Sequence, residues 1–584
     1  MTSLLAFLLL TAGAQDLKIQ TLPTHNHALA LAWADLQTQP KHRWSCLRYV
    51  WVPSGDPERL KAVSHAINAV SHAPDIYRPA DLGDGKGLLV ARLDLEKYVP
   101  EDKDLREWLS IWEEFQFDPD LSLLLTKGML KIAVENGREL KGAGTVKRWK
   151  TFAGGRAKRL VRSREDIDIA VLDVDAVELI RLPAEDTDQE LLRALQDATG
   201  SQAPVVTDAY FVARALAQIQ DKGVYKEIFG GLYYRLAGIK KAKQGSDLDA
   251  FFESIGIGGN GVTAKQVFAK IPSNQRTAIE KSLVTGHPRS IEFLHSPFGQ
   301  FGRSTGIVAV TSDLADQDID VDVHPLDNLV EFKATGKELI YERANGLHGY
   351  LALNGDDNLV DEVPSTGATA IAEDHTITHK RPKRLQPAIS CIACHEAEGP
   401  DGWQLVRNDV LRLKRQGVDP IGNRHRFDRA TREKLLALYT GDPERALKRG
   451  RDDYSLAVFR CTGPWKASKT QTDVVKHSAS KLVQMWRGYF FDDVDATTVL
   501  RECRVQCDPT QAKDVLAELL ATDPKAAVEV DGEPVVVEDW RLGHLRGGGT
   551  LNRTNWALVQ SSVRAMVQGR VAQRFKAAPA EKKP

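Results

Sequence analysis

Five consecutive residues carry the clearest chemistry in this sequence: Cys391-Ile392-Ala393-Cys394-His395. Two thiols three positions apart fit one turn of helix, and the histidine follows directly after the second. Cys-x-x-Cys-His is the attachment signature of a c-type haem. The thiols add to the two vinyl groups, and the histidine becomes the proximal iron ligand. With six Cys and 15 His in 584 residues, chance would yield the pattern only about 0.002 times in such a chain.

Two other chemistries could use the same residues. A thioredoxin-like redox pair belongs at the strand-to-helix junction of a βαβ unit. Here Pro387-Ala-Ile-Ser390 precedes the motif and Glu396-Ala-Glu-Gly399 follows it, with no such unit evident. A structural zinc site needs a second Cys/His pair at knuckle spacing, and the next cysteine, Cys461, stands alone. The expectation is one covalent haem c held by Cys391, Cys394 and His395.

The sixth iron ligand stays open at this level. Met485, in Lys481-Leu-Val-Gln-Met-Trp-Arg-Gly-Tyr489, would suit an electron carrier if it ligated, because a Met ligand raises the reduction potential. Its other role is to fill core beside Leu482, Val483 and Trp486. His375, His379, His425 and His477 are further candidates. An open or water-bound position would instead favour a peroxidase- or oxidase-like haem enzyme, or a haem-based binding or sensor protein.

The remaining motifs are weaker. Gly258-Gly-Asn-Gly-Val-Thr-Ala-Lys265 lacks the Gly-Lys-Ser/Thr ending of a phosphate loop. Asn354-Gly-Asp-Asp-Asn358 lacks the ligand spacing and final Glu of a calcium loop, and reads as a hairpin turn. Cys503 and Cys507 are four apart, and a bridge between them needs non-helical backbone. With Cys46 and Cys461 they allow three pairings, of which a 503–507 bridge is preferred.

The elements that position the motif follow from periodicity. Arg43 to Pro53 and Gly87 to Leu95 read as strands, and Pro57 to Ser71 and Asp104 to Phe115 as helices. Ile167 to Ile180 is strand-like. Asp188 to Ala198 and Asp208 to Ile219 have helical spacing. Glu338 to Glu342 and Gly349 to Asn354 flank Asn345-Gly346, and Asn354-Gly355 follows, which predicts a β-meander. The basic stretch His379 to Pro387 reads as a linker, and Ala577 to Pro584 as a disordered tail.

The fold class expected is α+β and multidomain: mixed α/β N-terminal regions, a β-meander, then a mainly helical c-type haem region. The boundaries expected are a leader at 1–14, an α+β domain at 15–185, a mainly helical region at 186–290 and a β-rich region at 291–375. A cytochrome-c-like haem region follows at 376–530, and a C-terminal helix and tail at 531–584.

Composition sets the outer limits. A 42% hydrophobic and 27% charged chain builds folded cores. With 78 Lys+Arg against 79 Asp+Glu the net charge is −1, which argues against a nucleic-acid partner. Six cysteines cannot scaffold 584 residues by disulfides. Met1 to Ala14 has no charged side chain, an apolar run at Leu4–Leu10 and an Ala12-Gly13-Ala14 cleavage pattern. That layout predicts a signal peptide and export to the periplasm or beyond. No stretch is long and apolar enough to predict a transmembrane span. The partner expected is a redox protein or a small-molecule electron donor or acceptor.

The order of three segments carries a resemblance. Asn345-Gly-Leu-His-Gly-Tyr-Leu-Ala-Leu-Asn354, Val360-Asp-Glu-Val-Pro364 and Ile389-Ser-Cys-Ile-Ala-Cys-His395 succeed one another. The chain thereby resembles a group of large exported cytochrome-c-like proteins of planctomycetes, in which an Asn-Gly-Leu-x-Gly-Tyr strand precedes Ser-Cys-x-x-Cys-His. Gly200-Ser-Gln-Ala-Pro-Val-Val206 and Tyr210-Phe211 also fit, so the likeness spans roughly residues 190 to 400. It implies a secreted protein with a single haem, and carries over as functional positions only Cys391, Cys394 and His395. The group often has a His in the strand before the Asn-Gly turn, where this chain has Ala334.

Overall fold

The computed structural model describes residues 20–21, 25–52, 54–83, 89–115, 186–218, 231–259, 261–279, 288–297, 306–314, 334–361, 386–397, 409–410, 429–490, 494–503, 505–521, 527–530, 533–536 and 540–551, and a few isolated positions up to 571. The expected leader, the Ile167–Ile180 stretch, the linker before Gln386 and the tail lie outside them. The fold is α+β, as expected, with helices packed around separate sheets.

The N-terminal sheet is built on the strand Leu47–Val52, which is buried on both faces. It pairs antiparallel with Leu89–Asp94 and parallel with Val205–Thr207, and Ala80–Asp81 forms the outer edge. Alternation along the strand splits its side chains between two cores. Leu47, Tyr49 and Trp51 join Ala28, Leu29, Ala32 and Leu36 of the helix His25–Thr38. Val50 faces the opposite way, toward the helices Pro57–Val70, Asp102–Trp112 and Asp208–Ala215. The sheet thus draws its parallel strand from beyond residue 185, across the boundary expected between the first two regions.

The helix Pro57–Val70 starts where its sequence dictates. Asp56 is the N-cap, its carboxylate accepting from the Glu58 N–H at 3.0 Å, and Pro57 occupies the first helical position. That position has no helical hydrogen bond to lose.

The second sheet is a five-stranded antiparallel meander. Arg276–Ile279, Arg289–His295, Ile307–Leu314, Ala334–Glu342 and His348–Asn354 pair in chain order. The two Asn-Gly signals both mark turns. At the first, Asn345 is buried, with its Oδ1 accepting from Leu347 N–H and its Nδ2 donating to the Asn68 carbonyl. Gly346 there has φ +86, and a Cβ would meet that of Ala457 at 3.3 Å, so only glycine fits. At the second, Asn354 Oδ1 accepts from Asp356 and Asn358 N–H groups, the hairpin turn expected rather than a cation loop.

Two long helices, Pro443–Thr462 and Gln471–Phe490, pack on each other and on Pro57–Val70. They close one continuous apolar core that runs from the inner face of the N-terminal sheet to the meander. A separate small core follows, built on Val499, Val515, Leu516, Leu519, Trp556 and Val563. No helix among the described residues is long and apolar enough to cross a membrane.

Candidate functional site: the Cys-x-x-Cys-His turn

The motif lies where the apolar core meets the meander. Its first turn, Ile389–Ile392, is α-helical and its second, Ala393–Ala397, widens to a π-helical turn. Such widenings recur at functional positions, because they re-aim side chains within a helix. The turn is tied down from several directions. Ile389 N–H donates to the Leu216 carbonyl at 3.0 Å, and Ser390 Oγ accepts from Gln386 N–H at 2.9 Å. The helix Gln471–Phe490 packs against it.

Directly before the motif the backbone is strained. Ala388 is fully buried at φ 71 and ψ −74, a region that L-residues avoid. Ile389 N–H also reaches the Pro387 carbonyl at 3.2 Å, closing a tight γ-turn around Ala388. Packing on every side holds this geometry. Ala388, Ile389, Ser390, Ile392 and Ala393 are all buried.

All six cysteines are thiols, and no disulfide joins Cys391 to Cys394 or Cys503 to Cys507. The expected 503–507 bridge is corrected. Cys503 is buried at the end of the helix Ala496–Glu502, while Cys507 follows the short strand Val505–Gln506 and is partly exposed. Cys461 donates its S–H to the Ala457 carbonyl of its own helix. Burial, and secondarily Glu338 and Cys394, pushes the Cys391 thiol well above its ordinary range. That is a neutral S–H rather than an activated thiolate nucleophile.

Beside the motif is a buried polar cluster that sequence reasoning did not find. Glu396, next to His395, has almost no exposed surface, and its two oxygens accept from the hydroxyls of Tyr350 and Tyr454. Burial raises its carboxyl to about 7, against the opposing pull of the two phenols. His348 lies with Nδ1 4.0 Å from Glu396 Oε1. Its ring stacks on Tyr454 at 3.8 Å between centroids and 13° between planes. Burial, then His395 and His65, holds the His348 imidazole far below its usual pKa, so it is neutral. His65 is buried too, with Nδ1 2.8 Å from Ser478 Oγ, and its pKa falls to about 4.

The topology explains the convergence. His348 and Tyr350 are two apart on one strand and share a face. Tyr454 comes from the helix Pro443–Thr462 that packs on that face, and Ser478 from the helix Gln471–Phe490. His348 was visible in Asn-Gly-Leu-His-Gly-Tyr but did not stand out as a functional residue. Glu396 adjoins the motif, and only its burial marks it. Tyr454 has no local sequence signal.

Of the other expected residues, two fall among the described ones. Met485 is 2% exposed and packed in the main apolar core with Leu482, Val483 and Trp486. His477 stacks on Trp465 at 6.4 Å. His375, His379 and His425 fall outside the described residues. Among those described, no group of three or more His, Cys, Asp or Glu is placed to hold a metal ion.

The motif therefore offers two thiols and an imidazole on adjoining turns, braced by a carboxylate held between two phenols. The chain matches no family model, no curated protein and no solved structure.

Proposed function

We propose that this chain is an exported c-type cytochrome that carries one covalent haem and passes single electrons. Cys391 and Cys394 would form the two thioether links, and His395 would be the proximal iron ligand. The observation that carries this reading is the motif itself, set on a helical turn with both thiols unbridged. The residues present fit the group. The thiols fall within one turn, and the segment is braced on its buried side by hydrogen bonds rather than by another ligand set. When bound, the haem supplies a reversible one-electron iron couple.

The chain's own residues have defined roles in this reading. Ser390 and Ile389 fix the start of the turn through their bonds to Gln386 and Leu216. Glu396, clamped by Tyr350 and Tyr454, fixes its end and so orients the adjacent His395. Met485 is the candidate for the sixth ligand, and its partner in electron exchange would be a redox protein or a small donor or acceptor. Export, read from the leader, supplies the compartment in which haem c is attached.

The experiment is expression with export and haem-attachment machinery, followed by a denaturing gel stained for haem peroxidase activity. A stained band at the full-length position is expected, weakened in Cys391→Ala and Cys394→Ala and lost in the double variant. Colour that washes away on denaturation would overturn covalent attachment.

A further inference from the structure

The hairpin that bears His348 has a second side. Tyr341, paired across the hairpin with Gly349, points away from His348 and Tyr350. With Arg343 it lines a cleft of about 290 Å³ between the meander and the N-terminal helices. Trp108 and Phe251 supply apolar wall, and Ser254 lies on the lining.

Arg343 is the feature that this cleft does not explain. It is 8% exposed, and its guanidinium donates only to neutral groups: the Val70, Ser71 and Ala237 carbonyls and the Tyr341 hydroxyl. Its Nε is buried with no acceptor. Among the described residues it forms no ion pair. The acids around the cleft are directed elsewhere. Asp104 faces His72 Nδ1 at 3.2 Å, Glu107 takes Lys240 at 3.0 Å, and Glu342 accepts from Ile307 N–H at 3.4 Å. A buried cation without a carboxylate is costly to keep.

The opposite wall is shaped to stay open. Gly238 has φ +76, and a Cβ there would sit 3.1 Å from the His72 ring. Glycine lets the His72 ring approach this segment closely, with Nε2 2.9 Å from the Leu236 carbonyl.

We propose that the cleft is a binding site for a small carboxylate borne on an aromatic or apolar body. The carboxylate would face the Arg343 side chain on the cleft wall and supply the missing negative charge. The body would lie along Trp108, Phe251 and Tyr341. A cleft of this volume lies at the small end of ligand sites, which suits a single ring rather than a nucleotide. The site does not depend on the haem reading.

The test uses the full chain and three probes: benzoate, its neutral isostere benzamide, and inorganic phosphate, followed by ligand-observed NMR and thermal melting. Benzoate is expected to bind and raise the melting temperature, with benzamide and phosphate at least tenfold weaker. Arg343→Met is expected to abolish the benzoate effect. Because Arg343 also braces three carbonyls, Ser254→Trp serves as the second variant. It keeps Arg343 and its hydrogen-bond partners in the sequence while filling the cleft, and is expected to block benzoate while the chain stays folded. No benzoate binding to the wild type, equal binding of benzamide, tighter binding of phosphate, or full binding to Ser254→Trp would each overturn the proposal.

Discussion

Two buried arginines in the meander are treated in opposite ways. Arg289 gives Nε and Nη2 to the two oxygens of Asp313 at 2.6 and 2.7 Å, and Nη1 to Glu338 at 3.2 Å. Arg343 meets only carbonyls and one hydroxyl, and keeps one buried N–H without an acceptor. The carboxylates divide in the same way. Glu396 has both oxygens occupied by tyrosine hydroxyls. Glu292 has one oxygen on Ser290 and the other buried without a donor. Satisfied groups hold the scaffold together, and unsatisfied ones mark places where the protein has something left to bind or to lose.

The largest effect should come from breaking a satisfied pair. Asp313→Ala leaves the Arg289 guanidinium buried with Glu338 alone, and should cost on the order of 3–5 kcal/mol. Urea or thermal unfolding would show it as the steepest loss among these variants. A loss no greater than that of an exposed ion pair would erase the contrast between the two arginines.

Next is the clamp on Glu396. Tyr454→Phe removes one donor from a buried carboxylate, and should cost about 1–3 kcal/mol. Tyr350→Phe should cost a similar amount. The double variant tests whether the two phenols act as a unit, since groups sharing a partner do not add. If both variants melt like the wild type, the two phenols do not hold Glu396 as a brace.

Glu292 should behave in the opposite sense. Burial raises its carboxyl to about 7, opposed by Arg276, Ser290 and Lys337, with Tyr439 also facing it. The folded state therefore binds a proton that the unfolded state has already lost above pH 4.5. Its contribution is present in full below the unfolded pKa and is lost as pH rises through about 7. Comparing wild type with Glu292→Gln between pH 4.5 and 8 isolates this group. The variant should gain relative stability as pH rises, and a difference that stays flat with pH would count against it.

The smallest effect concerns the strained residue before the motif. Ala388→Gly should be neutral or stabilising by up to about 1 kcal/mol, because glycine occupies positive φ without penalty. Ala393→Gly, at ordinary helical angles two residues into the motif, should lose about 1 kcal/mol instead. Equal losses in the two would mean that Ala388 is not strained.

Much of the fold was legible in the sequence because local rules agree with it. The helix start at Pro57, the two Asn-Gly turns and the strand Leu47–Val52 follow from helix-start and turn chemistry and from β-branched and aromatic content. The return of Val205–Thr207 to the N-terminal sheet was not legible, since a parallel strand pairs far along the chain and leaves no local trace. The candidate site divides likewise. Cys391, Cys394 and His395 fall within five residues, and their spacing alone suggests the proposed chemistry. Tyr350 and Tyr454 reach Glu396 across 46 and 58 residues, and Arg343 reaches Val70 across 273. Contacts of that range exist only once the chain has folded.

The central claim is a haem joined to this chain by two thioether bonds. The most direct measurement is the pyridine haemochrome spectrum of the purified, exported protein, with its intact mass. One haem per chain is expected, with the α-band of a doubly linked haem and a shift toward the singly linked band in Cys391→Ala. A mature protein with the mass of the bare polypeptide and no haemochrome would contradict it.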